Sequence, residues 1–361
     1  MAILTRKSSK DSRIVGLEIE AGSIGAAEVV ANGSVHLEAS GSVPLPAEAF
    51  RDGEIRDPAS VAAALRSLFD EQRLSRRVRL GIANSRVVVR TIRMPAIDDP
   101  KELDAAVRFM AQEQIPMPLD QAVLDHRMVG GVPQTDGAPP QIDVMVIAAR
   151  RDMVSAFLAP LREAGLEPVG VDLSAFAMIR AVADPRTFDG ATEGERPTSA
   201  VLYCSVGDVT NLAVAKGRSC LFTRVSSTGM DDIASSLQGR TGLSPEHAAM
   251  WLSHVGLEQP VEAVAGDAGI VAETRQALER GASALVDEIR LSLDFYGAQE
   301  TAMPVDRIVL CGPGSAIAGL PEQMEPTLEM PISSARPEAL DGLDALAAAR
   351  LTLPLGLALD S

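Results

Sequence analysis

The sequence predicts a duplicated α/β fold, two lobes facing each other across a cleft, on three observations. Val201 to Gly229 reads as a three-stranded meander: an apolar strand ending at Cys204, a turn through Gly207 and Asp208, a strand from Thr210 to Ala215, a reversal at Lys216-Gly217, and a strand from Ser219 to Val225. The start of the chain repeats this plan about 190 residues earlier, the mark of a duplication. There Ile14 to Ile19 is followed by a turn near Ala21 and Gly22, then Ala26 to Val30, Asn32-Gly33, and Val35 to Ala39. Third, Ile308 to Leu320 (IVLCGPGSAIAGL) is an apolar strand running into a glycine turn and a helix start, which lies on the cleft floor when the meanders face each other.

The elements between follow in order. Asp57-Pro58 is an N-cap with proline at the first helical position, opening a helix on which Val61, Leu65 and Leu68 repeat at helical spacing. The basic stretch Arg73 to Arg79 connects it to a strand pair spanning Leu80 to Met94. Asp99-Pro100 caps a second helix, with Leu103, Val107, Met110 and Ala111 on one face, which stops at Gln114 because Ile115 precedes Pro116. Leu124 to Val129 and Ile142 to Ala148 read as strands around a polar loop, Asp152 to Ala164 as a helix closed by Gly165, Pro168 to Asp172 as a strand, and Ala175 to Val182 as a helix. Residues 183–198 are a charged Gly/Pro linker. Beyond the second meander come helices at Asp231 to Arg240 and Ser244 to His254, a long helix from Ile270 to Gln299 with a stripe through Leu278, Leu285, Ile289, Leu293 and Tyr296, and the strand starting at Asp306. The apolar run Leu353 to Leu359 is expected to close the sheet. The expected division is therefore a first lobe of 1–94 and 170–182, an α/β insert of 95–169, the linker, and a second lobe of 199–361.

Composition narrows the function. With 361 residues of which 46% are hydrophobic, the chain buries a substantial core. Only 3% are aromatic and the formal charge is -16, so neither stacking platforms nor phosphate-neutralising surface is available and nucleic acid is not an expected partner. The first residues, MAILTRKSSK, are too soon charged for a secretory signal, and no apolar run approaches the roughly 20 residues that cross a bilayer. A cytosolic protein without membrane insertion is expected. Cys204, Cys220 and Cys311 each sit in an apolar strand and read as reduced core thiols. His36, His126, His247 and His254 show no ligand spacing, so no metal site is expected.

Several segments carry a family resemblance through their order along the chain: VGLEIEAGSIGAAEV at 15–29, VVVRTIRMP at 87–95, ELDAAVRFMAQEQIPMPLDQAVLDH at 102–126, REAGLEPVGVDLSAFA at 162–177, TNLAV at 210–214, CLFTR at 220–224, EIRLSLDFYGAQE at 288–300 and the glycine turn. The chain resembles the actin, Hsp70 and FtsA superfamily and, within it, the PilM family of cytoplasmic type IV pilus assembly proteins. The resemblance implies an actin-like (ribonuclease H-like) duplicated fold around a nucleotide cleft, with ATP and Mg2+ as the cofactor. It also implies an insert that contacts polymers or partners, and a place on the inner face of the cell membrane. The implied partners are the cytoplasmic N-terminal segment of a PilN-like inner-membrane protein, held in a groove between first lobe and insert, and a pilus assembly ATPase.

By that resemblance the nucleotide residues are Glu18 and Ser23 of the first turn, Gly207, Thr210 and Asn211 of the second, Gly312, Gly314 and Ser315 of the adenosine turn, and Glu288, with Arg290, on the long helix. The turns depart from the pattern. Glu18 stands for the Asp that holds hydrated Mg2+, Glu20 stands for Gly, Gly25 for Lys, Cys204 for Asp and Val206 for Gly, while Asp208 adds a charge. A carboxylate beside phosphates disfavours ATP unless a cation bridges them. No catalytic residue is assigned. The groove residues are Val87, Val89 and Arg90 on the strand and Glu113, Gln114, Ile115 and Pro116 at the helix end, where helix termination is the plainer explanation of the last motif. The sequence is read as a scaffold or adaptor of a type IV pilus or related type II secretion-like inner-membrane assembly complex. The alternative is an ATP-binding switch or weak ATPase of the same fold. A sugar kinase finds no catalytic carboxylate beyond Asp172, and a membrane-tethered filament former lacks an amphipathic basic C-terminal helix.

Overall fold

A computed structural model describes residues 13–31, 35–46, 48–51, 53–131, 140–183 and 199–359. The Asn32-Gly33 turn, most of the polar loop before Ile142 and nearly all of the linker lie outside the described residues.

The chain begins with strands β1 (Val15–Glu20), β2 (Ser23–Ala31) and β3 (Val35–Pro44), then a short hairpin of β4 (Phe50–Arg51) and β5 (Glu54–Ile55), helix α1 (Pro58–Glu71) and strand β6 (Arg77–Ile82). Strand β7 (Val88–Pro95), helix α2 (Pro100–Gln114) and strands β8 (Ala122–Gly131) and β9 (Gln141–Arg150) follow. Helix α3 (Arg151–Glu163), strand β10 (Glu167–Leu173) and helix α4 (Ser174–Val182) complete the first half. The second half runs through β11 (Ala200–Val206), β12 (Thr210–Lys216), β13 (Ser219–Ser226), α5 (Met230–Thr241), α6 (Pro245–Val255), α7 (Ala268–Gly297), β14 (Val305–Cys311), α8 (Leu320–Leu328), β15 (Ile332–Ser334) and α9 (Ala345–Ala358).

The duplication is visible in sheet order. One sheet runs β3-β2-β1-β6-β10 and the other β13-β12-β11-β14-β15. Each is an antiparallel meander extended by two parallel strands. Alternation along a strand then sorts the side chains. In the first sheet Val15, Leu17 and Ile19 point to a core shared with α1 and α3, so Gly16, Glu18 and Glu20 face the other lobe. In the second, Leu202, Cys204, Leu212 and Val214 pack under α5 to α8, leaving Tyr203 and Ser205 on the inner face. A separate sheet, β7-β9-β8, carries α2 on a core of its own; β7, read from sequence with the first lobe, pairs with β9.

Between the lobes lie α4 and α9. Helix α4 leaves the first sheet and packs its Ala175, Met178 and Ile179 against Val201, Tyr203 and Ala213 of the second. Helix α9 follows the second sheet and lies on β1 and β2 of the first. The run Leu353 to Leu359, expected to close a sheet, is the end of this helix. Buried on all sides, it has no polar face to give the 3.6-residue pattern that marks a surface helix. The close approaches depend on missing side chains: a Cβ at Gly16 would lie 1.9 Å from the Pro354 carbonyl oxygen, and one at Gly356 1.9 Å from that of Ala177.

Local signals explain most of the other boundaries. Asp57 accepts hydrogen bonds from the Ala59 and Ser60 amides and Asp99 from those of Lys101 and Glu102, each with proline at the first helical position. Cys204, Cys220 and Cys311 are free and buried, and burial pushes all three thiols up, Cys220 and Cys311 to about 12.

Gly356→Ala is expected to cost about 1–3 kcal/mol or more, because backbone has to move to admit the methyl group. Gly239→Ala, in open space on α5, is expected to stabilise by about 0.5–1 kcal/mol. Denaturant unfolding of both variants checks the pair.

Candidate functional site

Among the spaces between the elements, two bear on the expected sites, and they differ in size and chemistry. The first lies where the β1–β2 turn meets the β11–β12 turn, and is no larger than about 10 Å3. Register fixes its geometry: Glu20 pairs with Ser23 across a two-residue turn in which Gly22 takes a φ of 80°, and Val206 pairs with Thr210 across Gly207 to Val209.

Three carboxylates point into it. Glu18, 5% exposed, accepts a hydrogen bond from Ser174 Oγ at 2.7 Å, while its Oε2 has no partner. Burial pushes its carboxyl up to about 8; the Ser174 bond opposes this, and Asp208 and Asp172 add to it. Glu20 packs against Gly207, where a Cβ would lie 2.6 Å from Oε1. Burial, then Asp208 and Glu18, hold its carboxyl well above the ordinary range, with Arg350 pulling the other way. Asp208 accepts from the Val209 amide at 2.8 Å and the Ala21 amide at 3.1 Å; burial still lifts it to about 6. Among the described residues no group of three His, Cys, Asp or Glu side chains is arranged to hold a metal ion.

The sequence-expected nucleotide residues are only partly brought together. Glu18 and Asn211 line the space, and both amide atoms of Asn211, 3% exposed, lack a protein partner. Ser23 is buried at the start of β2. Thr210 Oγ1 donates to the Thr228 carbonyl at 2.6 Å. Gly312, at φ 75°, and Gly314 close directly on β11: Cβ atoms there would lie 2.6 Å from Ser205 Oγ and from Val206 Cγ1. Ser315 Oγ donates to the Gly312 carbonyl at 2.8 Å. Glu288 is turned to β13, where Arg224 pairs with it at 3.3 Å, three strands away from the glycine turn on β14. Arg290 donates to the Thr327 carbonyl. The comparison that set Cys204 in an acidic position is out by one residue, since Cys204 lies in the lobe core and Ser205 lines the space. The side chains present do not fit a triphosphate: small residues are replaced by carboxylates, and the turn glycines already touch protein.

The second space is a cleft of about 540 Å3 beside the edge strands β7 and β13. Val87, Val89 and Arg90 line it, with Leu173 and Ala175 at the β10–α4 junction, Phe222 to Val225 of β13, and Leu291 and Phe295 of α7. Leu291 and Phe295 are 54% and 58% exposed, and the rings of Phe222 and Phe295 meet tilted by 39° with centroids 5.9 Å apart. A smaller recess of about 80 Å3 lies between first lobe and insert, bordered by Val87, Val123, Ile147, Val171 and Phe176. Glu113, Gln114, Ile115 and Pro116 border neither. Ile115 closes α2 and joins Val107 and Ala111 in the insert core. Leu291 and Phe295 were absent from the sequence reading although a signal was there: they sit four apart on α7, off its buried stripe.

Comparison with known proteins fits this architecture. The family model of type IV pilus assembly protein PilM matches residues 16–341. The chain belongs to the PilM family. A solved PilM-PilN type IV pilus biogenesis complex contains a chain 27% identical to it, with 96% of this chain and 98% of that one covered and a TM-score of 0.78. More distant structures share the actin-like fold. MreB5 of Spiroplasma citri bound to ADP is 12% identical over 96% of this chain and 95% of its own, with a TM-score of 0.53. The ethanolamine utilization protein EutJ from Carboxydothermus hydrogenoformans is 14% identical over 96% and 89%, also with a TM-score of 0.53.

The buried carboxylates set a pH dependence. Their folded pKa values are raised above the ordinary 4.5 of Glu18 and 3.8 of Asp208, so the folded state holds more protons than the unfolded one. The contribution of these groups to stability is fully present below the unfolded values and is expected to be lost as pH rises from 3.8 to about 6 for Asp208 and from 4.5 to about 8 for Glu18. Melting temperature against pH measures this, and Glu18→Gln is expected to flatten the upper part of the curve.

Proposed function

We propose that this chain is a scaffold on the cytoplasmic face of a type IV pilus inner-membrane assembly complex, and that its cleft beside β7 and β13 holds the cytoplasmic N-terminal segment of a PilN-like membrane protein. The observation that carries the reading is the cleft itself: about 540 Å3, lined by apolar side chains with Arg90 and Arg224 among them, flanked by two sheet edges, with exposed Leu291 and Phe295 at its rim. Edge strands offer unpaired backbone groups to an extended segment, and alternate side chains of that segment then find apolar pockets. The PilM-PilN complex supports the choice of partner. No helix among the described residues is long and apolar enough to cross a membrane, so attachment through a membrane partner supplies the location.

An ATP-gated switch is the other function open to this fold, and MreB5, bound to ADP, is the neighbour that favours it. The carboxylates and closed glycine turns weigh against it here. Adaptor work requires only that the cleft present a fixed shape.

Titrating the protein with a synthetic peptide of the partner's N-terminal segment tests the reading. Val89→Asp is expected to weaken binding by about tenfold or more and Phe295→Ala by less, while Gln114→Ala leaves it unchanged. Saturable binding unaffected by Val89→Asp assigns the peptide elsewhere, and absence of binding removes the adaptor reading.

A further inference from the structure

One carboxylate accepts hydrogen bonds from the turns of both lobes. Asp208 Oδ1 accepts from the Val209 amide within its own turn at 2.8 Å, and Oδ2 accepts from the Ala21 amide of the opposite turn at 3.1 Å. Backbone N–H groups of apposed turns with an anion between them are how proteins hold phosphate. Here the anion belongs to the chain.

We propose that this cleft is self-liganded: the Asp208 carboxylate takes the place of a phosphate between the two turns, and the lobes stay joined with no nucleotide bound. The inference is independent of the partner reading.

Space, charge and backbone agree. The space of about 10 Å3 holds no more than a water beside the two unpartnered groups, Asn211 and one oxygen of Glu18. A phosphate in contact with the Ala21 amide would have to displace Asp208 and then face Glu18 and Glu20, with Asp172 and Asp231 adding to the field and Arg350 opposing it. Glu18 and Glu20 are already driven toward their neutral form, so the cost to a phosphate is the loss of the Asp208 hydrogen bonds and the repulsion of the Asp208 charge, which has little room to leave. The glycine turn gives no relief, because Gly312 and Gly314 already touch Ser205 and Val206. The turn that carries Asp208 is itself anchored, since the Met230 amide donates to the neighbouring Gly207 carbonyl at 2.7 Å and the turn backbone packs on Gly229.

The experiment is calorimetric titration of the full chain with Mg-ATP and with Mg-ADP. No saturable heat is expected up to about millimolar ligand, and a Kd below about 100 µM for either overturns the proposal. The double variant Glu20→Gly with Asp208→Gly, checked for folding by circular dichroism, is expected to gain binding by about tenfold or more. Asp208→Asn alone keeps an acceptor for the Ala21 amide and is expected to gain none. A folded double variant that still binds nothing overturns the assignment of the carboxylates as what fills the site. If that variant fails to fold, hydrogen exchange on the wild-type chain decides: the Ala21 amide is expected to exchange slowly without nucleotide, and exchange at the rate of an open turn overturns the proposal.

Discussion

The two lobes are held together by an exchange of helices. Each sheet sends its last helix across the midline, α4 to the second sheet and α9 to the first, so each lobe builds its outer core from its own residues but covers its inner face with a helix that follows the other sheet or leads to it. Where the helices cross, Gly356 lies against the Ala177 backbone and Gly16 against that of Pro354. Packing this close tolerates no added methyl group and leaves no plane along which the lobes separate cheaply. The relation between the β1–β2 and β11–β12 turns, and hence the cleft they form, follows from that crossing.

Given two turns brought so near, their side chains decide what the cleft does. Small residues there leave room and free amides for an anionic ligand. This chain has Glu20 and Asp208 in the turns, beside Glu18, and the outcome is a closed, acidic junction whose charge is relieved by proton uptake and backbone hydrogen bonds. The larger open space lies at the β7 and β13 edges, where Val, Leu and Phe dominate the walls, Asn84, Ser85, Asn211 and Thr223 add polar groups, and the charged lining residues are Arg90 and Arg224. The molecule has the scaffold of a nucleotide-binding protein and its accessible recess elsewhere.

Much of this was legible in the residues. Both meanders, the capped helices at Asp57 and Asp99, the long stripe of α7 and the strand into the glycine turn follow from local periodicity and cap chemistry, which a single sequence displays. What failed depended on three dimensions. Leu353 to Leu359 has no polar face, so its helix cannot be told from a buried strand by pattern. Glu288 is placed by an ion pair with Arg224 that no spacing announces, and the Cys204 comparison slipped because adjacent strand positions face opposite ways. Val87, Val89 and Arg90 fall in the large cleft, whereas the helix end at Ile115 is a core contact whose proline punctuation mimics a motif. The charges at Glu20 and Asp208 were visible; that they meet each other's turns was not.

The distance in sequence between α9 and the strands it covers bears on how the molecule folds. Strands β1 and β2 lie within residues 15–31 and their cover at residues 345–358. The outer core of the first lobe contains nothing of that helix, but the opposite face of β1 and β2 is covered only when the two distant segments meet. Contacts of such sequence separation carry a large loop-closure cost and form late. Closing the inner face is therefore a late step, and a chain cut short before residue 345 lacks the element that both halves share.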